Sequence, residues 1–94
     1  MRIAVIGASG LVGHKMLQVL EEQKIHIDEL IVAASERSIG KKIVFCGKEY
    51  TFVSVGQAIE MRPDIAIFSA GSDASLKYAP LFAEKGTYVI DNSS

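Results

Sequence analysis

Four short apolar runs are the feature that most constrains how this 94-residue chain can fold. They are Arg2 to Ile6, Leu30 to Ala34, Ile65 to Phe68 and Thr87 to Ile90. None of them alternates between apolar and polar residues, which is typical of strands that a parallel sheet buries on both faces. The sequence therefore predicts four buried strands, each followed by a loop rich in glycine, serine, asparagine or aspartate.

The stretches between these runs predict helices that cover the sheet. Apolar residues at helical spacing indicate a first helix from about Gly10 to about Gln23. Asp73 and Gly86 are suitable cap residues for a last helix, which Pro80 is expected to kink or restart. The apolar positions of that last helix are Leu76, Ala79, Phe82 and Ala83.

Two smaller elements complete the prediction. Ile43 to Phe45 and Tyr50 to Val55 are expected to form a hairpin around Gly47, and Ala58 to Met61 one helical turn. Alternating strands and helices predict an α/β fold. In detail this is a partial Rossmann-like, doubly wound, mainly parallel sheet with flanking helices and a small hairpin.

The composition argues against several classes of function. A net charge of −1 gives no reason to expect a nucleic-acid or membrane partner. The chain shows no signal-peptide pattern and no run long enough to span a bilayer, so a cytoplasmic location is expected. The single cysteine, Cys46, permits no disulfide within the chain and shares no metal-ligand spacing with His14 or His26. We predict no metal site and no catalytic residue.

The loop after the first run carries glycines at Gly7, Gly10 and Gly13. Between a strand and a helix, such glycines permit a tight turn, the approach of backbone N–H groups to a pyrophosphate, and close packing of the helix. The spacing is G-x-x-G-x-x-G, a weaker signature than G-x-G-x-x-G. The pattern favours dinucleotide binding, and a glycine-rich turn without a ligand is the alternative.

The loop after the second run indicates which cofactor is bound. NAD enzymes usually place an acidic residue at the end of the second strand, where it binds the ribose 2′-hydroxyl. Here Ser35 occupies that place, followed by Arg37 and Ser38. A guanidinium flanked by hydroxyls suits a 2′-phosphate, so NADP is favoured over NAD. Glu36 is the counter-argument, because facing the ribose it would select NAD.

The four stretches GASGLVG, AASERSIGKKI, IAIFSAGSDASLKYAP and AEKGTYVIDNSS together resemble the N-terminal part of the aspartate-semialdehyde dehydrogenase family, of the bacterial type. The resemblance spans the whole chain. It implies NADP(H) binding and an enzyme that reductively dephosphorylates L-aspartyl-4-phosphate to L-aspartate 4-semialdehyde with NADPH, a step toward lysine, methionine, threonine and diaminopimelate.

The resemblance also implies roles for individual residues. The positions that match the pyrophosphate loop are Ser9, Gly10, Leu11 and Val12. Those that match the 2′-phosphate group are Ser35, Arg37 and Ser38. Those that match the stretch near the ribose and nicotinamide are Ser69, Ala70 and Gly71, and Asn92 matches an asparagine close to the nicotinamide end of the site. Ser72 and Asp73 depart from the family, in which many members have a second glycine and an uncharged residue.

Family members are several hundred residues long. Their catalytic cysteine, which attacks the carbonyl, their histidine acid–base and their substrate-binding arginines match no position of this chain. Residues 1–94 are therefore expected to be a single, truncated dinucleotide-binding domain that does not catalyse alone. The missing C-terminal catalytic domain and homo-oligomerisation, as a dimer or tetramer, are the partners implied.

Three other interpretations remain open at this point. One is the N-terminal part of another acyl-phosphate reductase, similar to N-acetyl-glutamyl-phosphate reductase. Another is a stand-alone nucleotide-sensing module without chemistry, and the last is a sheet that binds no ligand.

Overall fold

The computed structural model describes residues 1–7, 11–23, 26–34, 36–69 and 72–91, with the backbone alone at 11–12 and 72–75. The elements, in chain order, are β1 (Arg2–Ile6), α1 (Leu11–Glu22), β2 (Glu29–Ala33), β3 (Lys42–Phe45), β4 (Lys48–Thr51), α2 (Val55–Glu60), β5 (Ile65–Phe68), α3 (Ser72–Glu84) and β6 (Tyr88–Asp91). No helix in these ranges is long and apolar enough to cross a membrane.

The main sheet is parallel and has the strand order β2-β1-β5-β6. The first strand of the chain therefore lies inside the sheet, β2 flanks it on one side, and β5 and β6 extend the sheet on the other. This arrangement confirms the predicted α/β fold. A second, two-stranded sheet is the antiparallel hairpin of β3 and β4.

Alternate residues of the central strands feed two separate apolar cores, because successive side chains point to opposite faces of a sheet. Ile3 and Val5 pack in one core with α1 and the hairpin region. Ala4 and Ile6 pack in the other core with α2 and α3. Helices on both faces explain why the strands carry no polar residue at alternate positions.

The hairpin differs from its predicted bounds because its turn is shorter. Cys46 and Gly47 both have positive φ, at 51° and 77°, as a two-residue hairpin turn that matches strand twist requires. The second strand therefore starts at Lys48 and not at Tyr50.

That second strand also ends earlier than predicted, at Thr51. Beyond it the chain turns to the main sheet, where the N–H of Val53 donates to Val32 O at 3.0 Å. Val53 forms an isolated parallel bridge with Ala33, so a single residue pair extends the main sheet beyond β2. One apolar stretch thus belongs to two sheets.

Helix α2 starts at Val55, three residues before the predicted helical turn. Its start is set by Ser54, whose side-chain oxygen accepts a hydrogen bond from the N–H of Gln57 at 3.0 Å. A serine in this position satisfies one of the free N–H groups of the first turn.

Helix α3 starts at Ser72, so Asp73 lies in its first turn and the prediction of Asp73 as the cap is wrong. The helix also continues through Pro80, so it does not restart there. Proline deprives the carbonyl four residues earlier, that of Leu76, of its helical partner. Leu76 and Pro80 are both exposed, which leaves that carbonyl accessible to water and lowers the cost. With Leu76 78 % exposed, its predicted place on the apolar face is wrong.

The last strand was predicted from Thr87 to Ile90 and buried; it is Tyr88–Asp91, and the predicted burial is wrong for the described part of the chain. Tyr88 is 68 % exposed and Ile90 41 % exposed. Their exposure follows from the strand order, since β6 is the outermost strand and β5 pairs with only one of its edges.

The amino-terminal edge of the sheet is closed by polar contacts. Arg2 Nε lies 2.7 Å from Glu29 Oε1, and the Arg2 N–H donates to Asp64 Oδ2 at 2.7 Å. The Met1 ammonium donates to Asp28, and this hydrogen bond and its charge hold the pKa of the Asp28 carboxyl below its ordinary value.

Helix α3 ends in a Schellman motif, as Gly86 predicts. The N–H of Thr87 donates to Phe82 O at 3.1 Å and the N–H of Gly86 donates to Ala83 O at 3.0 Å. Gly86 has a φ of 86°, and a side chain added there would meet no atom within 4 Å. The backbone conformation alone therefore requires glycine at this position.

Two glycine substitutions are expected to change stability in opposite directions. Gly86→Ala should lower the free energy of unfolding by about 1 kcal/mol, because alanine resists positive φ. Gly56→Ala, at an exposed position of helix α2 where an added side chain would also meet no atom within 4 Å, should raise it by up to about 1 kcal/mol. Urea unfolding of both variants measures the difference. A loss at both positions would contradict this explanation.

Candidate functional site

The carboxyl ends of the parallel strands lie in one row. Ile6 is opposite both Ala33 and Phe68, and Phe68 is opposite Asp91. The chain passes from β1 to β2 on one side of the sheet and from β5 to β6 on the other. The carboxyl ends of β1 and β5 therefore form the switch point of the sheet. Open α/β sheets bind their ligands at such a point.

Gly7 forms the turn that follows β1. Its φ is 87°, in the left-handed region that favours glycine. Its N–H donates to Ala33 O at 2.7 Å, which anchors the turn to the end of the neighbouring strand. Helix α1 starts four residues later at Leu11, so its free N–H groups lie close to the same edge, where they favour an anion.

Gly13 lies in the first turn of α1 and is buried. A residue without a side chain at a buried helix position permits close packing of the helix on the strand before it. This is the role that the glycine spacing predicts for the third glycine of such a loop.

Ser69 joins the two strand ends at the switch point. Its N–H and its hydroxyl both donate to Ile6 O, each at 2.9 Å. The hydroxyl hydrogen is therefore used within the protein, while the oxygen lone pairs remain available to a hydrogen-bond donor. The turns after β1 and β5 are held together at this point.

The loop after β2 is tied to the segment that follows the hairpin. The Gly40 N–H donates to Phe52 O at 3.1 Å, and the Phe52 N–H donates to Lys41 O at 2.9 Å. The Lys41 N–H in turn donates to Ser38 O at 3.0 Å. Ser38 is consequently only 7 % exposed, whereas Arg37 is exposed to solvent.

A pocket of about 270 Å³ lies beside this loop. It is lined by His14, Ser38, Lys41, Lys42, Ile43 and Phe52. Pockets for a whole drug-sized ligand are about 300–1,000 Å³, so this one is suited to one end of a dinucleotide.

The basic residues of this pocket were missed by sequence reasoning. No binding role was predicted for His14, Lys41 or Lys42. A signal was present in the two consecutive lysines after Gly40. What the sequence did not indicate is that α1 and the loop after β2 face a common cavity.

Seven of the predicted cofactor-binding residues lie within the described ranges: Gly7, Leu11, Val12, Gly13, Arg37, Ser38 and Ser69. Gly7 and Ser69 meet around the last residue of β1, and Arg37 and Ser38 follow the adjacent strand. Leu11 and Val12 form the first turn of α1. The other six lie outside the described residues: Ser9, Gly10, Ser35, Ala70, Gly71 and Asn92. The binding roles themselves stay predictions.

Nothing in the described ranges suggests a metal centre, because no three potential ligand side chains cluster there. Cys46 is exposed in the hairpin turn and does not follow a strand of the main sheet. That Cys46 takes no part in catalysis stays a prediction.

The chain is similar in sequence to known proteins. The chain is 50 % identical over 94 residues to the aspartate-semialdehyde dehydrogenase of Aquifex aeolicus, covering 99 % of this chain and 28 % of that protein. It is 47 % identical over 92 residues to aspartate-semialdehyde dehydrogenase 2 of Vibrio cholerae, covering 98 % of this chain and 27 % of that protein. The chain thus spans just over a quarter of the length of these relatives.

Solved structures show the same likeness. The crystal structure of aspartate semialdehyde dehydrogenase II from Vibrio cholerae matches with a TM-score of 0.90 and 46 % identity, over 97 % of this chain and 27 % of that one. A probable aspartate-semialdehyde dehydrogenase from Pseudomonas aeruginosa matches with a TM-score of 0.92 and 28 % identity, over 99 % of this chain and 28 % of that one.

The model of a protein family described as semialdehyde dehydrogenase, NAD binding domain, matches residues 2–94. That match takes in every described strand and helix, together with the turns at the carboxyl edge of the sheet. The chain therefore belongs to the semialdehyde dehydrogenase family, in the part that forms its NAD-binding domain.

Proposed function

We propose that this chain is the NADP(H)-binding domain of a longer aspartate-semialdehyde dehydrogenase. The fold by itself supports only the binding of a dinucleotide, because one fold serves many reactions. The observation that carries the reaction is the 50 % identity to an aspartate-semialdehyde dehydrogenase over 99 % of the chain. The relatives reported above bear that name, which favours it over N-acetyl-glutamyl-phosphate reductase and over a sensing module.

The described residues fit a dinucleotide at the switch point. The Gly7 turn, at a φ of 87°, and the nearby start of α1 suit a pyrophosphate held by backbone N–H groups. The exposed Arg37 guanidinium after β2 suits the 2′-phosphate of NADP. When bound, NADPH would supply the hydride that converts L-aspartyl-4-phosphate to L-aspartate 4-semialdehyde, with NADP⁺ and inorganic phosphate as the other products.

The remainder of the longer protein would supply the cysteine nucleophile, the histidine acid–base and the substrate-binding arginines. The outer strand β6 supports such a continuation, since Tyr88 and Ile90 present large apolar side chains to solvent. We further propose that the whole enzyme is a cytoplasmic homo-oligomer, a dimer or a tetramer.

Cofactor binding is tested by titrating the folded 94-residue chain with NADP⁺ and with NAD⁺ while recording amide chemical shifts. We expect shifts at Gly7, Arg37 and Ser38 that are larger with NADP⁺. Well-dispersed spectra without ligand establish that the chain is folded. A folded chain that responds to neither nucleotide would contradict its role as a cofactor domain.

The reaction is tested separately, in the longer protein that contains this chain. That protein should reduce NADP⁺ when given L-aspartate 4-semialdehyde and inorganic phosphate, and the 94-residue chain alone should not. Reduction with N-acetyl-glutamate semialdehyde in place of the aspartate compound would assign the chain to the other acyl-phosphate reductase.

A further inference from the structure

We propose that Lys41 determines specificity for the cofactor's 2′-phosphate, because it supplies a cation from the pocket beside Ser38. This inference rests on the proposed function and adds a residue that neither the glycine turn nor the Ser-x-Arg-Ser loop contains. The ligand of the pocket would then be a phosphate monoester on a ribose.

Three parts of the chain contribute basic groups to the pocket. His14 comes from the first turn of α1, Lys41 from the loop after β2, and Lys42 from the start of β3. None of the described residues that line it is acidic. Such a set of donors without a carboxylate favours an anion.

The two lysines differ in the charge that they can offer. Lys42 Nζ lies 3.2 Å from Glu49 Oε1, so much of its charge is already compensated within the hairpin. Lys41 forms no ion pair with any described residue. The uncompensated lysine charge of the pocket is therefore that of Lys41.

The backbone of Lys41 is held in place on both sides. Its N–H donates to Ser38 O at 3.0 Å and its carbonyl accepts from the Phe52 N–H at 2.9 Å. Phe52 is only 4 % exposed and forms an apolar wall of the same pocket. A lysine fixed at its backbone beside an apolar wall loses less entropy when it binds an anion than one on a free loop does.

The position of the pocket indicates which anion it binds. In open α/β sheets of this kind, the loop after the second strand faces the ribose that carries the 2′-hydroxyl or 2′-phosphate. Arg37 belongs to that loop but does not line the pocket, whereas Ser38 and Lys41 do. A phosphate held at Ser38 would thus be reached by Arg37 from the solvent side and by Lys41 from the pocket.

The test compares Lys41→Met with Lys15→Met, which removes the same charge from an exposed position of α1 that does not line the pocket. Dissociation constants for NADP⁺ and NAD⁺ are measured on the folded 94-residue chain at low and high salt. Lys41→Met should weaken NADP⁺ binding by roughly three- to tenfold at low salt, since an open pocket screens the pair partly. NAD⁺ binding should not change, and Lys41→Arg should retain NADP⁺ affinity.

The salt series provides a readout that a structural role would not produce. The difference between the wild-type chain and Lys41→Met should shrink as salt screens the charge. Equal losses for NADP⁺ and NAD⁺, or an NADP⁺ affinity unaffected by Lys41→Met, would overturn the assignment while leaving the cofactor domain intact. Absence of NADP⁺ binding in the folded wild-type chain would overturn both proposals.

Titration with inorganic phosphate separates the pocket from the rest of the cofactor. Amide shifts at Ser38 and Lys41 that saturate with phosphate, and that are lost in Lys41→Met, would support a phosphate subsite. Shifts that are unchanged in Lys41→Met would place phosphate elsewhere and overturn the role of Lys41.

Discussion

Phe82→Ala is expected to lower the free energy of unfolding by about 3–5 kcal/mol, the largest effect of any single change considered. Phe82 is fully buried, and its ring meets that of Phe68 edge-on, with centroids 5.7 Å apart and an interplanar angle of 85°. The loss combines the removal of buried apolar area, a cavity, and an aromatic pair that contributes roughly 0.5–1.5 kcal/mol beyond its area.

The consequence is large because the chain is short. A domain of this size is stable by only about 5–14 kcal/mol, so this one ring accounts for a considerable part of the total. Phe68 is the last residue of β5 and precedes Ser69, which links the two strand ends at the switch point. The packing of α3 on the sheet and the geometry of the strand ends at the switch point therefore both depend on the side chain of Phe68.

Urea unfolding followed by circular dichroism measures the effect. Leu81→Ala is the matched control, because Leu81 is the preceding helix residue and is 41 % exposed. Its loss should stay below about 1 kcal/mol. If Phe82→Ala does not fold, Phe82→Leu, expected to lose roughly 1–2 kcal/mol, preserves the comparison. Similar losses at positions 81 and 82 would mean that the Phe68–Phe82 contact is not central to the fold.

The strands at the centre of the sheet were predictable from local sequence alone. Arg2–Ile6 and Ile65–Phe68 have the predicted bounds, because strands buried on both faces require an unbroken apolar run. The predicted strand from Tyr50 to Val55 is wrong, because where it ends depends on a contact with a distant part of the chain. Val53 is apolar because it joins β2, and that partner lies about twenty residues away in the sequence, beyond the reach of a local pattern.

The outer strand shows a second limit of sequence reasoning. An apolar run indicates that a strand is built to be covered, and it does not indicate which part of a protein covers it. Ile90 and Tyr88 fit a buried strand by sequence but are exposed in the described chain. Their exposure supports the proposal that the chain is part of a longer protein, as does its span of just over a quarter of its relatives' length.

The residues of the candidate site likewise divide into those that local sequence predicts and those that it does not. Gly7 was predictable because a tight turn between a strand and a helix demands positive φ, which is a local property. Lys41 and His14 were not, because they meet at a pocket only after α1 and the loop after β2 have packed. Residues that act through their backbone conformation can thus be predicted from sequence more readily than residues that act through a shared cavity.

Arg37→Ala is expected to weaken NADP⁺ binding by about ten- to a hundredfold and to change NAD⁺ binding by less than about twofold. Charge-assisted hydrogen bonds to a phosphate contribute roughly 1.5–3 kcal/mol, and NAD⁺ lacks the group that would receive them. Since Arg37 is exposed, the free energy of unfolding should stay within about 0.5 kcal/mol of the wild-type value. Isothermal titration of both nucleotides measures the two affinities.

Two neighbouring variants separate charge from geometry in this loop. Arg37→Lys keeps the charge but loses the planar, two-pronged donor, so its NADP⁺ affinity should fall between those of the wild type and Arg37→Ala. Glu36→Gln should leave NAD⁺ binding unchanged if Glu36 points to solvent, where the structure exposes it. If Glu36→Gln instead weakens NAD⁺ while Arg37→Ala leaves NADP⁺ unaffected, the carboxylate contacts the ribose hydroxyl. The loop after β2 would then belong to an NAD site, because an acidic residue held there repels a 2′-phosphate.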